Sequence, residues 1–187
     1  IAAQKPEVAA KMGAELAAWK KEMLANVGPD TRPFPVGFAP RTMLPARDGV
    51  PHGGVRRSAN APNCSYFTNW TKSEDSMTWH IEVAASGNYR AEVYYACPAA
   101  DVGSTVQLTF GKGRVSAVVD KAHDPPAKGK EFDRHDRGAE SYWKDFLPMP
   151  LGKIALEKGA GTLTLDAPKV AGKSVAEVRY IALTREG

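Results

Sequence analysis

The sequence predicts a mostly β fold: a jelly-roll β-sandwich preceded by one N-terminal helix and a long extended strap. The first observation is the stretch SMTWHIEVAASGNYRAEVYYA, residues 76–96. Met77, Trp79, Ile81 and Val83 alternate with Thr78, His80 and Glu82, and Tyr89, Ala91, Val93 and Tyr95 alternate with Arg90, Glu92 and Tyr94. A two-residue period places each set on one face of a strand, so both segments have a buried face and a wet face. Gly87 and Asn88 between them read as a hairpin turn, making an antiparallel pair that needs a second layer over its apolar face. The second observation is that this pattern recurs in about eight short segments separated by turn signals, the signature of a sandwich.

Residues 1–27 read as the helix. Pro6 and Glu7 suit its first turn, and Val8, Met12, Leu16, Trp19 and Met23 form one apolar stripe at helical spacing. Gly28 and Pro29 end it. The stripe must lie on something, either the sheet domain or a partner upstream.

Residues 28–62 fit neither period. Seven prolines and five glycines punctuate them, but Phe34, Val36, Phe38, Met43 and Leu44 are too apolar for a free linker, so a surface-hugging strap is expected. Arg41, Arg47, Arg56 and Arg57, near His52, can grip an anion or form a solvated face.

The sandwich is expected over residues 63–187. Residues 63–70 begin it and the 76–96 pair follows. Further strands fall at 104–110, 114–119, 146–156, 162–166 and 175–183. Successive antiparallel strands put alternate loops at opposite ends. The turns at 84–88, 111–113 and 157–160 share one end, and the longer polar loops 70–76, 97–103, 120–143 and 167–174 share the other. Binding residues concentrate in loops that closure does not need, which points to the second end.

The chain has 187 residues, enough to bury a core without metals or disulfides. No apolar run approaches the roughly 20 residues of a membrane span. The net charge of +4 is scattered, with no basic block that would suggest nucleic acid. It suits an acidic polymer such as a sulfated glycan, or plain solubility. The chain opens at Ile1, which reads as a mature product or an excised piece, so a missing leader is silent about location. Cys64 and Cys97 lie at strand edges: in an oxidising compartment they can form a disulfide, and otherwise they are buried thiols.

The richest loop is 120–143, with His123, Asp133, Arg134, His135, Asp136, Arg137, Tyr142 and Trp143. Arginine forks suit sulfates, carboxylates or vicinal hydroxyls, and Trp and Tyr faces offer platforms for a sugar ring. Asp133 and Asp136 are candidate Ca²⁺ ligands. A loop bridged by its own ion pairs is the other reading. Trp70 and Lys72 are candidates at the same end, with a core-edge position the alternative for Trp70. No GxSxG, HExxH or GxGxxG motif supports catalysis.

KPEVAAKMGAELAAWKKEML, residues 5–24, resembles the late helix of type I sulfatases. PDTRPFPVG, LPARDGVPHGGVRRS and NCSYFTNW resemble the C-terminal extension of planctomycete-type arylsulfatases. TWHIEV, GNYRAEVYYACP, LGKIALEKGAGTLTL and VAEVRYIAL resemble galactose-binding-like sugar modules, which are jelly rolls. The sulfatase formylglycine signature C/S-x-P-S-R is missing: Cys97-Pro98-Ala99-Ala100-Asp101 has its proline elsewhere and no arginine. The resemblance therefore implies a non-catalytic tail of a sulfatase that is secreted or periplasmic, with residues 1–27 left from the upstream catalytic domain. It implies a carbohydrate-binding module for a sulfated or galactose-rich polysaccharide. Arg134, Arg137 and Lys72 would meet anionic groups or hydroxyls, Trp70, Tyr142 and Trp143 would stack on sugars, and His123 would lie among them. Similar modules often carry a Ca²⁺ ion. The alternative is a structural domain that braces the sulfatase domain without binding sugar.

Overall fold

The structure is a computed structural model that describes residues 2–25, 27–28, 30–59, 66–128, 134 and 144–186. The chain divides into two compact units, residues 1–32 and 33–187. The first is helix α1, Pro6–Ala25, with Glu7 in its first turn. It buries none of its residues, and Val8, Met12, Leu16, Trp19 and Met23 are all exposed.

The second unit is a sandwich of two six-stranded sheets. Its strands are β1 (Phe34–Val36), β2 (Arg41–Pro45), β3 (Val50–His52), β4 (Arg56–Arg57), β5 (Phe67–Thr68), β6 (Ser76–Val83), β7 (Gly87–Ala96), β8 (Thr105–Phe110), β9 (Gly113–Val118), β10 (Leu147–Leu156), β11 (Gly159–Lys169) and β12 (Glu177–Arg185). The first sheet runs β1-β6-β11-β8-β9, with β3 also on β6. The second runs β10-β7-β12-β5-β4, with β2 also on β12. Only β1 on β6 is parallel among these pairs.

The expected hairpin of residues 76–96 is not one. Strand β6 pairs with β11, Trp79 opposite Leu163, whereas β7 pairs with β10 and β12, Val93 opposite Met149 and Ile181. The link at 84–86 therefore crosses between sheets. Alternation is the same in either arrangement, but crossing puts the apolar faces of β6 and β7 on the inner sides of opposite sheets, where Trp79 of β6 packs against Phe67 of β5 at 5.9 Å.

The strap is also more than a strap. Residues 34–57 supply strands to both sheets, with Phe34 opposite Ile81, Met43 opposite Ala182 and Val50 opposite Thr78. Val36, Leu44, Ala46 and Val55 are buried in the common core. The sandwich thus starts at residue 33, not 63. Pro35, Pro45 and Pro51 sit on edge strands, where a missing N–H interrupts no inner ladder.

Two bulges keep the later strands in phase. In β10 the register shifts between Pro150 and Gly152, so Met149, Leu151, Ile154 and Leu156 all face inward; Gly152 takes the left-handed turn at φ 119°. In β12 a shift between Val178 and Tyr180 lets Val178, Ile181 and Leu183 point in and Tyr180 point out.

The described parts of the long loops meet at one end. Val175 N–H donates to the Trp70 carbonyl at 2.8 Å, and Cys97 and His123 exchange two backbone bonds of 2.7 and 2.8 Å. Asp101, buried, accepts from Lys173 N–H and Ser174 Oγ, both at 2.7 Å. Asp75, also buried, accepts from Gly54 N–H at 2.6 Å, Lys72 N–H at 2.9 Å and Thr71 N–H at 3.1 Å. At the other end Ala84 N–H bonds Val36 O and Lys158 N–H bonds Ser86 Oγ.

Trp70 is a core residue, completely buried, with Nε1 donating to the Asp75 carbonyl at 3.3 Å. It offers no ring face to a sugar, which corrects the platform expectation. Cys97 is a buried free thiol, pushed up to about 11 by burial and by the nearby Asp101 and Asp124 carboxylates. The expected partner, Cys64, lies outside the described residues.

Replacing Trp70 with Ala should cost about 3–5 kcal/mol in urea unfolding, as loss of a large core side chain. Unchanged stability would contradict its core placement. Asp75→Asn should cost about 2 kcal/mol at pH 7, because an amide cannot accept three N–H donors. Burial pushes the Asp75 carboxyl up, but the Gly54, Thr71 and Lys72 N–H groups outweigh it and hold it below the usual range. Its contribution is then complete above the unfolded pKa of about 4 and disappears as pH falls through the lower folded value. The difference between wild type and Asp75→Asn, measured by urea titration from pH 7 to pH 3, should shrink below about pH 4; a constant difference would contradict the assignment.

Candidate functional site

The outward face of the second sheet carries a run of alternating aromatic and cationic side chains. The bulge in β12 sets Tyr180 opposite Tyr94 of β7, and the two rings stack at 4.1 Å with 27° between planes. Burial, with the Tyr94 hydroxyl alongside, pushes the Tyr180 phenol up to about 12, so it stays neutral. From β2, Arg41 donates to the Tyr94 hydroxyl at 3.0 Å and to Glu92 at 3.4 Å, with its guanidinium 6.0 Å from the Tyr94 ring centre.

On the other side of the tyrosine pair, Arg179 lies 6.0 Å from the Tyr180 ring and 5.9 Å from Phe146. Phe146 packs at 5.5 Å against Tyr66, and Lys144 lies 5.9 Å from the Tyr66 ring. The run reads Lys144, Tyr66, Phe146, Arg179, Tyr180, Tyr94, Arg41. The rings are half-buried and the two arginines exposed. Rings fix the plane of a guanidinium, which then presents its N–H fork outward. Among the described residues no carboxylate lies within ion-pair distance of Arg179, so that fork is open to an anion.

Lys144 has a different task. Its side chain is 14% exposed and its ammonium reaches Glu177 at 2.7 Å and Asp124 at 3.1 Å, while Thr68 Oγ1 donates to Glu177 at 3.1 Å. Burial opposes its charge, but Glu177 and Asp124 more than compensate and raise its pKa. Lys128 adds a 3.0 Å pair with Asp145. Together these contacts pin both stems of the long loop beside the aromatic run.

The residues expected from the sequence are placed unevenly. His123 holds the loop base: its Nε2 is 3.0 Å from the Asp145 carbonyl, which only accepts, so Nε2 carries the proton. Lys72 is exposed, 3.7 Å from Glu74, in a surface pair of little energetic consequence. Arg134 is exposed. Asp133, Asp136, Arg137, Tyr142 and Trp143 lie outside the described residues.

The strap arginines do not converge on His52. Arg41 lies on Tyr94, Arg47 3.6 Å from Asp48, and Arg57 donates to the Gly49 carbonyl, while His52 Nε2 meets Thr78 Oγ1 at 2.8 Å.

Among the described residues no three His, Cys, Asp or Glu side chains gather as a metal site. The buried Asp75 and Asp101 oxygens are already filled by N–H and hydroxyl donors, so these two do not fit a Ca²⁺ ion. No helix among them is long and apolar enough to cross a membrane.

Sequence reasoning missed Tyr66, Tyr94, Phe146, Arg179 and Tyr180. The signal was present for Tyr94, an aromatic on the wet side of an alternating strand. For Tyr180 it was hidden by the bulge.

No family model matches the chain. A curated rice protein (Oryza sativa subsp. japonica) described as a 21.9 kDa heat shock protein is 25% identical over 146 residues, 73% of this chain and 67% of its own. Among solved structures, the C-terminal CBM6 of LamC, a marine laminarinase from Zobellia galactanivorans, superposes with a TM-score of 0.53 at 13% identity, over 78% of this chain and 99% of the module. A family 35 carbohydrate binding module from Clostridium thermocellum gives 0.50 at 14% identity, over 79% and 100%. The Podospora anserina GH26-CBM35 β-(1,4)-mannanase gives 0.52 at 17% identity over 79% of this chain; the match spans 28% of that enzyme. At these identities the likeness establishes the architecture: a jelly-roll β-sandwich of the kind found in carbohydrate-binding modules.

Proposed function

We propose that the chain is a non-catalytic carbohydrate-binding module that lays a polysaccharide across the outward face of its second sheet. The observation that carries this reading is the Arg179–Tyr180–Tyr94–Arg41 run, held on paired strands and open to solvent. Stacked rings offer apolar area to the CH face of a sugar, and the guanidinium forks take oxyanions or paired hydroxyls. The shared architecture with carbohydrate-binding modules supports the same reading.

The finer proposal is a sulfated or galactose-rich glycan, with Arg179 and Arg41 meeting sulfate groups and Arg134, Arg137, Tyr142 and Trp143 of the adjoining loop extending the contact. The resemblance of residues 5–70 to sulfatase tails supports reading the chain as a module behind a sulfatase domain, in a secreted or periplasmic protein. Many weak contacts along a repeating polymer would then hold the enzyme on its substrate.

A second reading, a domain that braces an upstream catalytic domain, is favoured by the exposed stripe Val8, Met12, Leu16, Trp19 and Met23 on α1. Such a stripe normally lies against another surface.

Affinity electrophoresis of the chain through gels holding a sulfated galactan, a neutral galactan or no glycan separates the two. Retardation by the sulfated polymer is expected. Arg179→Ala should weaken it about tenfold and weaken any neutral-galactan binding less. Tyr180→Ala should weaken both. Free migration of the folded protein through every gel would leave bracing as the role.

A further inference from the structure

A second place on the molecule has the make-up of a sugar site, at the end opposite the long loops. The turn Gly37–Pro40 and the end of β12 enclose an open hollow of about 410 Å³, lined by Gly37, Phe38, Ala39, Pro40, Arg185 and Glu186. Phe38 is 71% exposed beside it. A single exposed phenyl ring is unremarkable alone, but this one stands on a fixed turn next to a cation.

The turn is fixed at three points. Gly37 takes φ 78°, and its absent Cβ leaves room for the Tyr89 hydroxyl, which donates to the Ala85 carbonyl at 2.8 Å. Gly37 N–H reaches Thr42 Oγ1 at 3.3 Å, and Arg185 N–H donates to the Pro40 carbonyl at 2.8 Å. Glu186 N–H donates to Asn88 O at 3.0 Å, which fixes the other wall. A turn whose backbone is held this way loses little freedom when a ligand settles against it.

The charge is unbalanced. Glu186 is neutralised by Lys153 at 2.8 Å, whereas Arg185 has no carboxylate partner among the described residues. The hollow thus combines an apolar ring, a free guanidinium and a satisfied carboxylate, the mix of apolar wall and few polar groups that small-ligand sites use.

We infer that this hollow binds one acidic sugar residue, its carboxylate or sulfate on Arg185 and its CH face on Phe38. The inference rests on the glycan-binding reading but concerns a separate surface. Two surfaces at different places would let one module engage a polymer twice.

The test is ¹H–¹⁵N NMR titration of the whole chain with galacturonate, galactose 6-sulfate and neutral galactose. The two acidic sugars should shift the amides of Gly37, Phe38, Ala39, Arg41, Arg185 and Glu186, about tenfold more tightly than galactose does. Phe38→Ala and Arg185→Gln, both at exposed positions, should each weaken these shifts about tenfold and leave those at Tyr94 and Tyr180 unchanged. A response to only one acid would identify the anion while supporting the site. Equal affinity for galactose would overturn the acidic preference. Shifts confined to Tyr94, Arg179 and Tyr180 would overturn the hollow and leave the outward-face reading intact, and no shifts anywhere would overturn both.

Discussion

Each sheet of this sandwich has one apolar face, and the two faces close on a common core. Met77, Trp79, Ile81 and Val83 of β6 and Tyr89, Ala91, Val93 and Tyr95 of β7 lie on the inner faces of opposite sheets, and all eight are buried. A single sheet of this composition would leave one such row in water, at a cost of roughly 1.5–3 kcal/mol per large side chain. That requirement sends the chain across the sandwich at 84–86 instead of back along the same sheet. It also draws residues 34–57 into both sheets, where they lengthen the covered area and supply Val36, Leu44 and Ala46 to the core.

Once the inner faces are committed to each other, function is left to the outer faces and the ends. The loop end is tied down by two buried carboxylates, Asp75 and Asp101, which gather N–H groups that would otherwise be unpaired. Those ties join the described loop segments and occupy the Asp75 and Asp101 oxygens with N–H and hydroxyl donors. The outer face of the second sheet is different. Its cation–ring contacts are each worth roughly 0.5–1 kcal/mol at an exposed site, and the Arg41–Glu92 pair little more. A surface that adds so little to stability yet holds two arginines and four rings in order is better explained by what it contacts than by what it holds together.

The strands were legible in the sequence because alternation reports burial directly. Met77 to Val83, Val106 to Phe110 and Leu163 to Leu165 all face inward as their spacing requires. Strand partners were not legible, because β6 and β7 alternate identically whether they pair with each other or lie in opposite sheets. The bulges were hidden for the same reason: at Gly152 and before Tyr180 one residue is spent without a change in composition. Trp70 reads as a platform by its position at a strand end, and only the Asp75 carbonyl at its Nε1 reveals a core residue. The loop arginines and aromatics attracted notice because they are dense in sequence. The outward run was missed because its members come from five separate segments: Arg41, Tyr66, Tyr94, Phe146 and Arg179–Tyr180.

The decisive measurement is therefore one that separates the outward sheet face from the loop beside it. The chain with Arg134→Ser, Arg137→Ser, Tyr142→Ser and Trp143→Ser together would be compared with wild type for affinity to a sulfated galactan. If recognition centres on the Arg179–Tyr180–Tyr94–Arg41 face and the loop only extends the contact, affinity should fall by less than the roughly tenfold loss expected of Arg179→Ala. Loss of binding in a variant that remains folded by urea titration would place recognition in the loop and contradict the assignment to the sheet.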